Sequence, residues 1–170
     1  MKILSIDIGV KNLAFVVLDI LDKKVTDIEC DLIDITRGFM VKDVSNTELM
    51  DNLMEDLLYY YVPEDYDVIL VEGQMAANPK CKNISMIVYT YFRMKNKSTE
   101  LISSRLKLGA AGKTMSYNDK KKAAVKICKD LIGDELSTKL DALSRQHDAA
   151  DAILQTYAWL GRACNAKKIT

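Results

Sequence analysis

The sequence predicts an α/β fold: a mixed five-stranded sheet, three antiparallel strands and then parallel ones, flanked by helices. Three observations carry this. Close to the N-terminus, apolar and alternating runs follow one another across turn-length gaps, which suits an antiparallel meander. Beyond residue 45, stretches with helical spacing alternate with short apolar runs, the pattern of strands joined through helices. The chain has 170 residues, 49% hydrophobic with few Gly and 2 Pro, so it fits one domain, residues 1–170, with a real core.

The elements follow in order. Residues 2–8 alternate and then run apolar, a buried strand that ends at about Asp7. Gly9 supplies a turn, and residues 13–20 (LAFVVLDI) return as a second strand. Residues 25–35 alternate in DIECDLIDI and make a third. Ser45 or Asn46 caps a helix carrying Leu49, Leu53, Leu57 and Leu58, and Pro63 stops it. Residues 67–71 (DVILV) form a short strand, continuously apolar after Asp67 and so buried on both faces, with Glu72 at its C-terminal end. From 82 to 95, Ile84, Ile87, Val88, Tyr91 and Met94 share the stripe of an amphipathic helix. Residues 101–103 make a short strand, and 107–119 a basic loop containing Gly. A helix over 120–131 turns Ala124, Ile127, Cys128 and Leu131 inward, and a last helix runs from about 146 to 160. The order is β-β-β-α-β-α-β-α-α. Repeats, linkers and low-complexity tracts are absent from the sequence.

Several classes fall away. No apolar run approaches the roughly 18 residues that span a bilayer, so no membrane association is expected. The opening MKILSIDIGV is broken by Asp7 and lacks a small-residue cleavage site, which argues against a signal peptide. The absence of Arg before Arg37 argues against a mitochondrial transit peptide. Cys30, Cys81, Cys128 and Cys164 are scattered, without the spacing of a zinc site or a disulfide framework. Reduced thiols in an intracellular protein are the expectation.

Net charge is zero, yet unevenly spread. Residues 1–72 hold 6 Lys/Arg against 16 Asp/Glu, residues 73–133 hold 13 against 3, and the remainder balances at 5 against 5. A basic middle segment suits a groove for a polyanion, because each neutralised phosphate releases counterions. It equally suits a solvated helical face balanced by the acidic half.

The chemistry sits in four acids. Asp7 interrupts an apolar strand, where an ionised carboxylate costs several kcal/mol unless paired or metal-bound. Glu72 ends another apolar strand, and ligands gather at the carboxyl ends of strands in such sheets. Asp148 and Asp151, in HDAADAILQ, are spaced i, i+3 and share one helix face. Taken singly these are turn, cap or surface acids. Taken together they repel one another unless a divalent cation lies between them, and an all-oxygen set suits Mg²⁺, with Mn²⁺ as a substitute. Two ions roughly 4 Å apart serve phosphodiester hydrolysis.

The stretch SIDIGVKNLAFVVLD resembles the opening of the RuvC-like Holliday junction resolvases of poxviruses and related large DNA viruses, with their S-x-D-I-G-x-K-N. VILVEGQMAANPKCKNISMIVYTYF is similar to their E-x-Q-x-x-x-N-P-K-x-K-x-I, and the resemblance recurs in SSRLKLG, SYNDKKKAAV and HDAADAILQ. These blocks span most of the chain in the family's order. The resemblance implies an RNase H-like fold and a structure-selective endonuclease that resolves four-way DNA junctions, with no small-molecule cofactor. It implies Asp7, Glu72, Asp148 and Asp151 as catalytic, metal-binding carboxylates serving two ions. It implies a lysine near the scissile phosphate, Lys107 or its competitor Lys113. Lys11, Asn12, Gln74, Lys80, Lys82, Lys113, Lys120 and Lys121 are the expected DNA contacts, with Asn78 also available. A homodimer is implied because two symmetric strands must be cut, and the stripe Ile84, Ile87, Val88, Tyr91 is a candidate for the isologous contact. A viral origin would place the work in cytoplasmic virus factories.

Two positions depart from the pattern. His147 stands before Asp148 where relatives often carry an acid or a lysine; it is either a proton-transfer group or a helix N-terminal residue without a catalytic role. Gly73 replaces an Asn frequent in E-N-Q. Tyr89, Tyr91 and Phe92 either stack on opened bases or pack in the core or a dimer interface. Other readings are an RNase H-like nuclease for RNA, flaps or forks, and a non-catalytic nucleic-acid-binding relative, against which the four acids argue. Actin-like ATPases and sugar kinases share a D-x-G turn but need a second phosphate loop and longer chains.

Overall fold

The computed structural model describes residues 1–60, 66–74, 78–95, 97–103, 116–143 and 145–166. Elements follow the expected order: β1 (Lys2–Asp7), β2 (Leu13–Leu21), β3 (Lys24–Ile33), α1 (Asn46–Tyr60), β4 (Val68–Gly73), α2 (Pro79–Met94), β5 (Thr99–Ser103), α3 (Tyr117–Ala142) and α4 (Gln146–Ala166). The strands lie side by side as β3-β2-β1-β4-β5. β1, β2 and β3 pair antiparallel, whereas β4 runs parallel to β1 and β5 parallel to β4. The mixed sheet is thus the one the sequence predicts.

Strand alternation divides the core in two. Ile3, Val16, Leu18, Leu70 and Ile102 point to the face covered by α3 and α4. Leu4, Ile6, Phe15, Ile69 and Val71 point to the face covered by α1 and α2. Both sides of β1 and β4 are buried, which explains why these strands read as continuous apolar runs.

Local chemistry sets the helix ends. Ser45 Oγ accepts from the amide of Glu48 at 3.2 Å while the Glu48 carboxylate accepts from the amide of Ser45 at 2.8 Å, a reciprocal capping box that starts α1. Pro63, expected to stop this helix, lies outside the described residues. Ser116 caps α3, accepting from the amide of Asp119. Gly9 serves a close approach: a Cβ there would lie 2.5 Å from the carbonyl oxygen of Asn12.

The helices depart from expectation in several details. The helical geometry of α3 breaks at Gly133 (φ 79, ψ 176), close to the end expected at 131, and an unpredicted second helical segment runs from there to Ala142, burying Leu136 and Leu140. Twelve residues of straight helix span about 18 Å, yet Lys129 Nζ donates to Asp141 across the bend at 2.6 Å. Within α3, Ala124 and Cys128 are buried but Ile127 and Leu131 are exposed, because the inward stripe passes through Ile132 instead. On α2, Met94 is exposed, while Ile84, Val88 and Tyr91 are buried in the chain's own core and cannot form an isologous dimer contact. Tyr91 Oη donates to the carbonyl of Leu57, and Tyr91 meets the fully buried Phe92 edge-on, so neither ring is available to stack on bases. Tyr89 is half-buried.

Candidate active site

β1 and β4 run parallel with Ile6 beside Val71, so the next residues, Asp7 and Glu72, stand side by side at the carboxyl ends of the two central strands. The same alternation that sends Ile6 and Val71 toward α1 and α2 sends Asp7 and Glu72 toward α4. Both carboxylates are buried, at 8% and 6% exposure, and Asp148 in the first turn of α4 is equally so at 7%. Asp151 follows one turn later and is half-buried.

Each acid is held by its surroundings. The amide of Ile8 donates to Glu72 Oε2 at 3.4 Å, Gln74 Nε2 donates to the same oxygen, and Ser85 Oγ of α2 donates to the Glu72 carbonyl at 2.7 Å. Asp148 meets three partners: His147 Nε2 at 3.2 Å, Lys121 Nζ at 3.7 Å and Arg145 Nη1 at 3.8 Å. Its buried Oδ2 has no hydrogen-bond partner among the described residues. Asp7, Glu72 and Asp151 are likewise none of them without a partner.

Electrostatics ties the strand acids to the helix acids. Burial holds the His147 imidazole below its ordinary value, aided by Lys121 and Arg145 and opposed by the charges of Asp148 and Asp7. The Cys81 thiol is pushed up by burial and by Glu72 and Asp7. Burial and the charge of Asp151 push Cys128 up to about 12, and burial with Asp31 and Asp148 does the same to Cys30. These three cysteines are free.

The donor set fits a hard divalent cation. It is all oxygen, three of its carboxylates are buried, and one buried oxygen, Asp148 Oδ2, accepts no hydrogen bond from the described residues. Among the described residues the side chains do not form a ready-made cluster of three ligands; like charges spread apart. What the fold fixes is their common face and level.

The remaining predicted residues divide. Lys11 is exposed and Asn12 half-buried in the turn directly after β1. Lys82 is exposed on the first turn of α2, Lys120 is half-buried at the start of α3, and Lys121 pairs with Asp148. Lys80 gives two of the three N–H groups of its ammonium to the carbonyls of Val41 and Val44, at 2.6 and 2.9 Å. Asn78 is engaged as the cap of α2 and Gln74 as the partner of Glu72. Lys107 and Lys113 lie outside the described residues. Sequence reasoning missed Arg145, Ser85 and Ser5, whose Oγ donates to the carbonyl of Ala152 in α4 at 2.8 Å. Only polar residues in otherwise apolar runs signalled the two serines. A shallow cavity lined by Arg37, Glu55, Asp56 and Tyr59 lies beside α1, on the other face of the sheet.

The sequence profile of a family described as Poxvirus A22 protein matches residues 1–162. No curated protein gives a significant sequence match. Among solved structures, the fowlpox virus resolvase in complex with substrate Holliday junction DNA is similar at a TM-score of 0.62 and 21% identity, covering 96% of this chain and 99% of that one. The yeast mitochondrial Holliday junction resolvase Ydc2 is similar at 0.66 and 18%, over 98% and 82% of the two chains. Thermus thermophilus RuvC is similar at 0.58 and 14%, over 95% and 97%. At these identities the structural likeness is one of fold.

Proposed function

Because this chain belongs to the poxvirus A22 protein family, we propose that it is a structure-selective DNA endonuclease that resolves four-way junctions. The observation that carries the chemistry is the placing of Asp7 and Glu72 side by side on two parallel strands, facing the helix that bears Asp148 and Asp151. The fowlpox virus and yeast proteins of the same fold are Holliday junction resolvases, which supports the choice of substrate.

Asp7, Glu72, Asp148 and Asp151 would hold Mg²⁺, two ions per site, and Mn²⁺ would substitute. When bound, the metal supplies Lewis-acid stabilisation of charge on the scissile phosphate. The chain's own groups do the rest. Lys121, already drawn to Asp148, exchanges that partner for a phosphate oxygen as the duplex arm enters. Gln74 keeps the Glu72 carboxylate oriented. Lys107 or Lys113 stabilises the phosphate, and Lys11 and Lys82 track the backbone at the mouth of the site. Two copies act together, each nicking one of two symmetric strands and leaving a 5′-phosphate. Their interface lies elsewhere than the buried stripe of α2.

Substrate choice is testable in one gel. The purified protein and Mg²⁺ are presented with a four-way junction, a linear duplex, a flap, a fork and an RNA–DNA hybrid. Paired symmetric nicks in the junction, at rates well above all others, are expected. Preferred cutting of the hybrid or the flap contradicts the assignment.

A further inference from the structure

We infer that Gln155 is a positioning residue for the metal site, setting the height of α4 on the sheet so that its carboxylates stand level with Asp7 and Glu72. This rests on the nuclease reading above.

Gln155 is fully buried, with no solvent exposure, in a stretch of α4 where its neighbours are Ala152, Ile153 and Leu154. Its Nε2 donates to the carbonyl of Leu70 at 3.2 Å and to Ser5 Oγ at 3.3 Å, and lies 3.5 Å from the carbonyl of Ile6. Ser5 Oγ in turn donates to the carbonyl of Ala152, closing a link from helix to strand and back. The strands joined in this way, β1 and β4, are the two that carry Asp7 and Glu72, and Ser5 and Leu70 are partners in their register.

The spacing gives the inference its content. From Ser5 and Leu70, the next residues on the same face are Asp7 and Glu72, about 6.6 Å further along the strands. From Gln155, Asp151 lies four residues back along α4 and Asp148 seven, about 6 and 10.5 Å toward the helix N-terminus. The helix start lies at the carboxyl end of β1, since Tyr157, further along α4, accepts from the amide of Val25, which pairs with Ile20 beside Met1 at the opening of β1. Both steps therefore lead toward the same end, and the Gln155 link brings Asp151 level with the strand acids, with Asp148 just beyond. Apolar contacts between α4 and the sheet are non-directional and tolerate a shift along the groove. A donor fixed between three acceptors does not.

The remaining amide oxygen, Oε1, is buried and has no hydrogen-bond partner among the described residues. Turning the amide over would set that oxygen against carbonyls and a hydroxyl oxygen already donating elsewhere, so the orientation is dictated. A residue kept for stability alone would be Leu or Met, which fill similar volume and strand no acceptor. A polar side chain retained at that cost marks a positional role.

The test uses the full chain as wild type, Gln155→Leu and Ser5→Ala. Mn²⁺ affinity is measured by electron paramagnetic resonance, and thermal melting is followed by circular dichroism. Supports of metal ligands change affinity by roughly 10- to 100-fold. Gln155→Leu is expected to melt within a few degrees of wild type, bind Mn²⁺ at least about tenfold more weakly, and recover junction nicking as Mn²⁺ is raised. Ser5→Ala, which removes one link, is expected to weaken Mn²⁺ binding by a smaller factor, about threefold on the same scale. A merely structural role moves the melting temperature and leaves metal affinity untouched. Wild-type Mn²⁺ affinity in folded Gln155→Leu overturns the inference. Should that variant not fold, unchanged affinity in Ser5→Ala overturns it instead. A wild-type chain that binds no Mn²⁺ removes the nuclease reading and the inference together, an outcome distinct from failure in the variants alone.

Discussion

Lys80 shows how a charge legible in the sequence can be committed elsewhere. Its ammonium reaches two backbone carbonyls, those of Val41 and Val44, and ties the segment before α1 to the first turn of α2. Charge-assisted hydrogen bonds of this kind are worth about 1.5–3 kcal/mol. Lys80→Met is expected to cost about 2 kcal/mol of stability in a urea melt while changing junction affinity less than twofold. Lys82→Ala, at an exposed lysine two residues on, is expected to do the reverse. The four acids were readable because Asp7 and Glu72 interrupt or end apolar strands and Asp148 and Asp151 stand i, i+3 on one helix face. The partners of Lys80 were not, because backbone carbonyls 36 and 39 residues away leave no mark in the sequence. The cysteines give a further check at this scale. With Cys30 and Cys128 pushed up to about 12 by burial, almost no thiolate exists at pH 8. Peptide mass spectrometry is expected to show both resisting iodoacetamide in the folded protein and reacting on unfolding.

At the scale of elements, the strands were read closely because both periodicity and turn spacing act locally. The bounds of β1, β2 and β4 shift by only a residue or two from expectation. α3 was the weak point. Gly133, two residues past the expected end, is a hinge: its positive φ breaks the first helix and turns the chain into a second helical segment. Leu136 and Leu140 then reach the core, on a segment whose own pattern is too short to announce itself. Gly133→Ala has open space for the methyl, so its cost is conformational alone, about 1–3 kcal/mol. Gly9→Ala, which drives a Cβ into the Asn12 carbonyl, is expected to cost more and to displace the turn beside Asp7. Calorimetric melts of the two variants rank them.

At the scale of the whole molecule, the charge split acquires a direction. Acidic residues 1–72 form the three-stranded half of the sheet, α1 and nearly all of β4, and the basic segment 73–133 supplies α2, β5 and much of α3, with Lys82 in the first turn of α2 and Lys121 beside Asp148 at the carboxyl ends of the central strands. Binding through phosphates is then steeply salt-dependent. Neutralising four phosphates predicts a loss of about 10²-fold in junction affinity between 50 and 200 mM salt, measurable by fluorescence anisotropy in Ca²⁺ or EDTA. The dimer proposed for paired cutting predicts a light-scattering mass of twice the 19.1 kDa of one chain, unaffected by the buried Ile84 and Val88. Neither the helix that bends at Gly133 nor the seat of α4 on the sheet was legible at this scale, since both depend on contacts far apart in the chain.

The proposed convergence of Asp7, Glu72, Asp148 and Asp151 on one metal site is tested most directly at Asp7. A labelled four-way junction is incubated with wild type or Asp7→Asn, in Mg²⁺ or in EDTA, and the nicks are counted on both symmetric strands. The expected result is paired nicking that EDTA abolishes and that Asp7→Asn lowers by about 10³-fold or more, the scale of lost metal-ion stabilisation, with junction binding retained. Nicking that survives either EDTA or Asp7→Asn contradicts it.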